Sequence, residues 1–160
     1  MRPAFLLFAI LLIQNAQAPA QQQGVVERGD HVMGFLHEKT THHFLLHANG
    51  GEIDVAANQA SDKASLDKIR THLSHIAGMF ATGNFNAPML IHDTTPPGVP
   101  TMQRLKNDIK YDYSESPHGA RIRLVTANPQ AVDAIHAFLL FQIIDHHTGD
   151  TPAITAEPDQ

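Results

Sequence analysis

Lys39-Thr40-Thr41-His42-His43-Phe44-Leu45-Leu46-His47-Ala48-Asn49-Gly50-Gly51-Glu52-Ile53-Asp54-Val55-Ala56-Ala57 reads as a β-hairpin. Two alternating runs, about Lys39 to His47 and Glu52 to Ala57, flank Asn49-Gly50, a pair that accepts the positive φ of tight hairpin turns. Centring the turn there sets His47 against Glu52, Leu46 against Ile53, Phe44 against Val55 and His42 against Ala57. Side chains alternate between the two faces of a strand. Phe44, Leu46, Ile53 and Val55 therefore share the apolar face, and His42 joins them. His43, Leu45 and His47 lie on the opposite face with Glu52 and Asp54, where His47 and Glu52 are expected as a cross-strand charge pair.

Outward from the hairpin, Leu66, Ile69, Leu73, Ile76 and Phe80 recur at helical spacing and predict a helix from about Ser61 to Ala81. Ser61 is its expected N-cap and Gly83 its stop signal. Met89-Leu90-Ile91 reads as a short strand, and His92 to Gly98 as a proline-rich loop. A short helix is expected from Thr101 to about Asp108. Ile109, Tyr111 and Tyr113, then Ile122 and Leu124, alternate on two further strands around Pro117-His118-Gly119. Asn128-Pro129 opens a second long helix ending near His147. Strand–strand–helix thus occurs twice, and Leu66, Asp67, Ile69 and Leu73 align with Val132, Asp133, Ile135 and Leu139 as a pseudo-repeat. The expected fold is α+β: an antiparallel sheet of about four strands packed against two main helices.

The chain has 160 residues. Arg2, the apolar run Ala4 to Ile13 and the small residues Ala16, Ala18 and Ala20 have the layout of a secretory signal peptide. The run is too short for a permanent membrane span. Cleavage after Ala18-Pro19-Ala20 makes residues 1–20 the signal and leaves no membrane anchor. Residues 21–30 are expected as a flexible arm, 31–148 as one α+β domain and 149–160 as a flexible tail. The expected location is periplasmic or secreted. The mature part is of ordinary single-domain size. With no cysteine in the chain, it holds no disulfide and offers no thiolate to a metal. There are 11 Lys+Arg against 16 Asp+Glu and no basic stripe, which excludes a nucleic-acid partner.

The compositional outlier is histidine, with 12 residues, all between His31 and His147. His72, His75 and Met79 stand at i, i+3 and i+7 on one helix edge. Two imidazoles and a thioether at that spacing suit a soft ion such as copper(I). His42 points toward the helices from the hairpin. His136 lies on a stripe with Leu140, Ile143 and His147; His146 lies with Ile135, Leu139 and Gln142. Met33, two residues after His31, is a further sulfur donor. The expected metal ligands are His42, His72 and His75 first, then His136 and His146, with Met33 and Met79 as soft ligands for copper or zinc. His92-Asp93 sits at the mouth of the proline loop, while His37 and His118 look peripheral. Each of these histidines also has a local reading, as a core ring bonded to a carbonyl or a solvated side chain.

No Gly-x-Ser-x-Gly elbow, phosphate loop, His-Glu-x-x-His or haem-attachment motif occurs. Four readings stay open: a metal-binding domain, a metal-dependent hydrolytic enzyme using Asp93 or Glu38 as base, a noncovalent haem binder, and an interaction module without metal. Lys39-Thr40-Thr41-His42-His43-Phe44, Ile69-Arg70-Thr71-His72-Leu73-Ser74-His75-Ile76-Ala77 and Phe141-Gln142-Ile143-Ile144-Asp145-His146-His147-Thr148-Gly149-Asp150 carry a resemblance. The chain resembles, over roughly residues 31–150, a group of small exported bacterial proteins of unassigned activity, some labelled aspartate carbamoyltransferase-like. The resemblance implies export and a compact domain. It brings no catalytic residue, since the Ser-Thr-Arg-Thr stretch with which that enzyme holds carbamoyl phosphate is missing from this sequence.

Overall fold

The computed structural model describes residues 18–155. The expected signal peptide falls on 1–20 and lies outside the described residues except for its last three. In chain order the elements are α1 (Ala18–Met33), β1 (Thr40–His47), β2 (Gly50–Ala57), α2 (Lys63–Ala81), α3 (Asn86–His92), α4 (Val99–Arg104), β3 (Lys110–Ser116), β4 (Gly119–Val125), α5 (Pro129–Asp145) and β5 (Ile154–Thr155). Single 3-10 turns at His37–Lys39 and Lys106–Asp108 precede β1 and β3. Among the described residues no helix is long and apolar enough to cross a membrane.

The architecture is α+β, with a sheet in the order β3-β4-β2-β1-β5. The first four strands pair antiparallel, and the two strand–strand–helix units meet through β2 and β4. The fifth strand was not expected: Ile154 and Thr155 pair parallel with Leu46 and His47 at the open edge of β1. Asp150 fixes the approach to it, one oxygen 2.7 Å from His43 Nδ1 and the other accepting from the Phe44 amide. The tail expected to be flexible is therefore tied down as far as Thr155.

The hairpin register differs from expectation by two residues. His47 pairs with Gly50, Phe44 with Ile53 and His42 with Val55, leaving Ala48-Asn49 as the turn. Packing accounts for the shift. Gly50 has φ 143°, and a Cβ there would run into the Leu124 carbonyl of β4; one on Gly51 would run into Leu139 of α5. The two glycines serve the β2–β4 seam and the helix contact as strand residues. A shift by an even number keeps every side chain on its face, so Phe44, Leu46, Ile53, Val55 and His42 are all buried under the helices. The expected His47–Glu52 pair is lost. Glu52 lies opposite Leu45 and Arg123 instead, 3.7 Å from Arg121.

Three other expectations are corrected. Residues 21–30, expected as a flexible arm, belong to α1, whose Val25 is buried and whose Arg28 donates to the Ile91 carbonyl at 2.8 Å. Its apolar stripe is too sparse to read as periodic, and tertiary contact with α3 holds it. Met89-Leu90-Ile91 is helical, not a strand. Pro88 sits in the first turn of α3, where no amide donor is needed, and Asp93 ends the helix at φ 51°. The cap of α2 is Asp62, which accepts from Ser65 N, rather than Ser61. Between sheet and helices lies one core, with Phe80, Phe85 and Phe138 in mutual ring contact.

Candidate functional site

Histidines from five separate segments meet at one end of this core. His37 comes from the 3-10 turn after α1, and its backbone amide is held by Asp30 Oδ1 at 2.7 Å. His42 comes from the covered face of β1. His72 is on the inner edge of α2, His92 ends α3, and His146 caps α5 through its amide to the Gln142 carbonyl. The rings of His37 and His42 stack with centroids 4.7 Å apart, and those of His42 and His146 are 6.0 Å apart. The rings of His37 and His146 are nearly parallel (5°) with centroids 5.2 Å apart, and His37 Nε2 and His146 Nδ1 share a hydrogen bond at 3.3 Å, one ring donating and the other accepting. His92 meets His146 edge-on at 4.9 Å. Phe35 contacts both His42 and His72.

His92 is the anchored member. Its Nδ1 donates to Asp145 Oδ2 at 2.5 Å, and its Nε2 lies 2.8 Å from the Gln142 amide oxygen. The other rings are held neutral. Burial pushes His42 down to about 3, helped by the neighbouring His37, His72 and His43. Burial likewise takes His146 down to about 2, with His92, His42, His37 and His147 adding to it. His72 falls to about 4 through burial and then His75. His37 is lowered by burial against the opposing pull of Asp30. A neutral imidazole has one free lone pair, the form in which histidine ligates a metal. His37 Nδ1, His42 Nε2 and Gln142 Nε2 are buried without a hydrogen-bond partner in the protein, a costly arrangement for polar groups in an apolar wall.

His42, His72, His92 and His146 also line a cavity of about 70 Å³, together with Met33 and Gln142. A water needs roughly 10–15 Å³ of such space, so the cavity has room for several waters or for a ring to turn. Among the described residues, no three His, Asp or Glu side chains have their ligand atoms around one point. The reason is the stacking: His42 lies within 13° of the His37 plane, so its in-plane lone pairs run beside those of His37 and do not converge with them.

Of the seven expected ligands, four meet at the cavity: His42, His72, His146 and Met33. His75 is exposed on the outer side of α2, in a surface cleft. His136 stands apart, its Nε2 2.9 Å from the His47 carbonyl, which gives that ring the local partner expected of a structural histidine. Met79 is partly buried against the core away from the cavity. Helical spacing put it with His72 and His75, but seven residues carry it a further two turns along α2. His37, His92, Gln142 and Asp145 were not among the expected site residues. The sequence pointed to them only through Gln142 beside His146 and His92-Asp93 at the loop mouth, where Asp93 is exposed while Asp145 is the partner; His37, expected to be peripheral, stands in the cluster. No family model, curated protein or solved structure matches this chain, so the chemistry of the site rests on its own residues.

Proposed function

We propose that the protein is an exported metal-binding domain that takes copper or zinc at an inner site built on His37, His146 and His42. The observation that carries this reading is the 3.3 Å separation of His37 Nε2 and His146 Nδ1, across 109 residues of sequence. Ligand nitrogens lie about 2.0–2.1 Å from zinc, so two at a tetrahedral angle stand about 3.3–3.4 Å apart. In the metal-free protein the two nitrogens share a hydrogen bond at the spacing of one edge of such a shell; their rings are nearly parallel, so an ion that takes the place of the shared proton must also tilt one ring toward it. Both rings have lowered proton affinity, so an ion competes with little at neutral pH. His42, with its buried and unpartnered Nε2, is the third ligand. The adjoining cavity gives its ring space to swing out of the stack. Gln142 and Asp145 hold His92 against His146 and fix that ring's orientation, as outer partners of metal ligands do.

The other readings fit less well. Pockets for drug-sized ligands measure roughly 300–1,000 Å³, several times the cavity beside these rings, so a haem would have to displace core side chains. A hydrolytic centre needs a free carboxylate beside the ion. Glu38 and Asp93 are both exposed, and among the described residues the cavity wall carries no carboxylate. The supported role is storage or delivery of an ion. Export is supported by the layout of residues 1–20 alone.

The test is metal analysis and competition titration of protein made without a histidine tag. One tightly held equivalent of copper or zinc is expected, lost in His37→Ala with His146→Ala and kept in His136→Ala. Equal affinity in the double variant and the unaltered protein would reject the reading.

A further inference from the structure

The surface cleft next to the cavity is lined by Met33, Asp67, Lys68, Thr71, His72 and His75. Met33 and His72 also stand in the wall of the inner cavity, so these two side chains form the partition between solvent and the histidine cluster. On the solvent side His75 is exposed, one turn of α2 from His72. On the inner side Phe35 contacts both His72 and His42, with centroids 5.8 and 6.1 Å away. Met33 is 9 % exposed and closes the C-terminal end of α1. Its terminal methyl lies close over Gly29, so the side chain rests where a larger residue at 29 would push it aside.

Taking the inner site as read above, we infer that this cleft is an outer metal station, formed by Met33, His72 and His75, which captures copper(I) and hands it inward to His42. The donor set is one thioether and two imidazoles. Thioether sulfur favours copper(I) over zinc, so the station is selective where the all-nitrogen inner site is not. Transfer is ligand exchange at constant oxidation state: the His75 bond breaks as a bond to His42 forms, while Met33 and His72 hold the ion from the partition. No electron moves, and each bond broken is replaced by a bond from another ring. His75 belongs to this outer step and not to the inner shell.

The experiment loads untagged protein anaerobically with copper(I) alone or with zinc alone, following stoichiometry and copper X-ray absorption. The unaltered protein is expected to take a second, weaker copper(I) equivalent that zinc does not match. Met33→Leu with His75→Gln loses that equivalent and fills the inner site more slowly, with the inner affinity unchanged. In His37→Ala/His146→Ala, one added copper(I) shows a sulfur neighbour that disappears when Met33→Leu is added. Met33→Leu conserves side-chain volume and His75 is exposed, and circular dichroism checks that each variant is folded. Wild-type loading rate and stoichiometry in the Met33/His75 variant, or no copper–sulfur contact, would overturn the outer station. If instead His37 and His146 prove dispensable while copper–sulfur binding persists, the inner site fails and the capture site stands without its transfer step.

Discussion

Acidification is the sharpest perturbation of this fold, because three rings, His42 buried and His72 and His146 half-buried, must stay neutral for the core to close. His42, His72 and His146 titrate at about 3, 4 and 2 in the folded protein, against 6.5 for a free imidazole. The folded values are depressed, so below pH 6.5 the unfolded chain binds protons that the native chain refuses. Stability is full above pH 6.5 and falls as pH drops toward the folded values. Each ring loses about 1.4 kcal/mol per pH unit. At pH 5 that amounts to about 2 kcal/mol per ring and about 6 kcal/mol for the three. A domain of this size has roughly 5–15 kcal/mol in total, so cooperative acid unfolding is expected between pH 6.5 and 4. The assay is urea unfolding at half-unit pH steps, where the slope of stability against pH counts the protons taken up. About three protons from these rings, with a further contribution from His37, whose affinity is also lowered by burial, are expected for the metal-free protein, and about one fewer for His146→Gln. The difference between the two proteins removes the contribution of every other titrating group. A slope below one proton, or the same slope in both, would refute the picture of a neutral buried cluster. Copper or zinc, if bound by these rings, moves the acid transition to lower pH.

Three further outcomes follow from the geometry. At an ion concentration about 100 times the dissociation constant, copper or zinc stabilises the fold by about 2.7 kcal/mol, read as a raised thermal midpoint that a chelator reverses. His92→Ala strands the Gln142 amide and the Asp145 carboxylate that its ring now joins, at a cost of about 1–3 kcal/mol in denaturant midpoint. It also loosens His146, so metal affinity falls together with stability. Gly119→Ala drives a Cβ into the Val55 carbonyl, which is backbone and unable to move aside; loss of the folded protein in native-state circular dichroism is expected, whereas Gly78→Ala, with open space around it, folds normally.

The faces of the hairpin, the two long helices and the two-layer α+β class were legible in the residues themselves, because strand and helix periods are local properties. Phe44, Leu46, Ile53 and Val55 alternate, and an error of two in register leaves alternation intact. The same logic placed His42 under the helices correctly. What the residues did not carry was which rings would meet. His37 sits in a short turn with no period to read, and it reaches the cluster because Asp30 and the end of α1 hold that turn against α5. His136 and His146 share one helix and similar apolar neighbours, yet one bonds a strand carbonyl and the other stands in the cluster. Their separation along α5 decides this, together with where β1 and α3 lie beneath the helix. Local sequence settles the direction of a side chain within its element. The meeting of nitrogens 109 residues apart depends on how whole elements dock, and only the packed tertiary structure sets that distance.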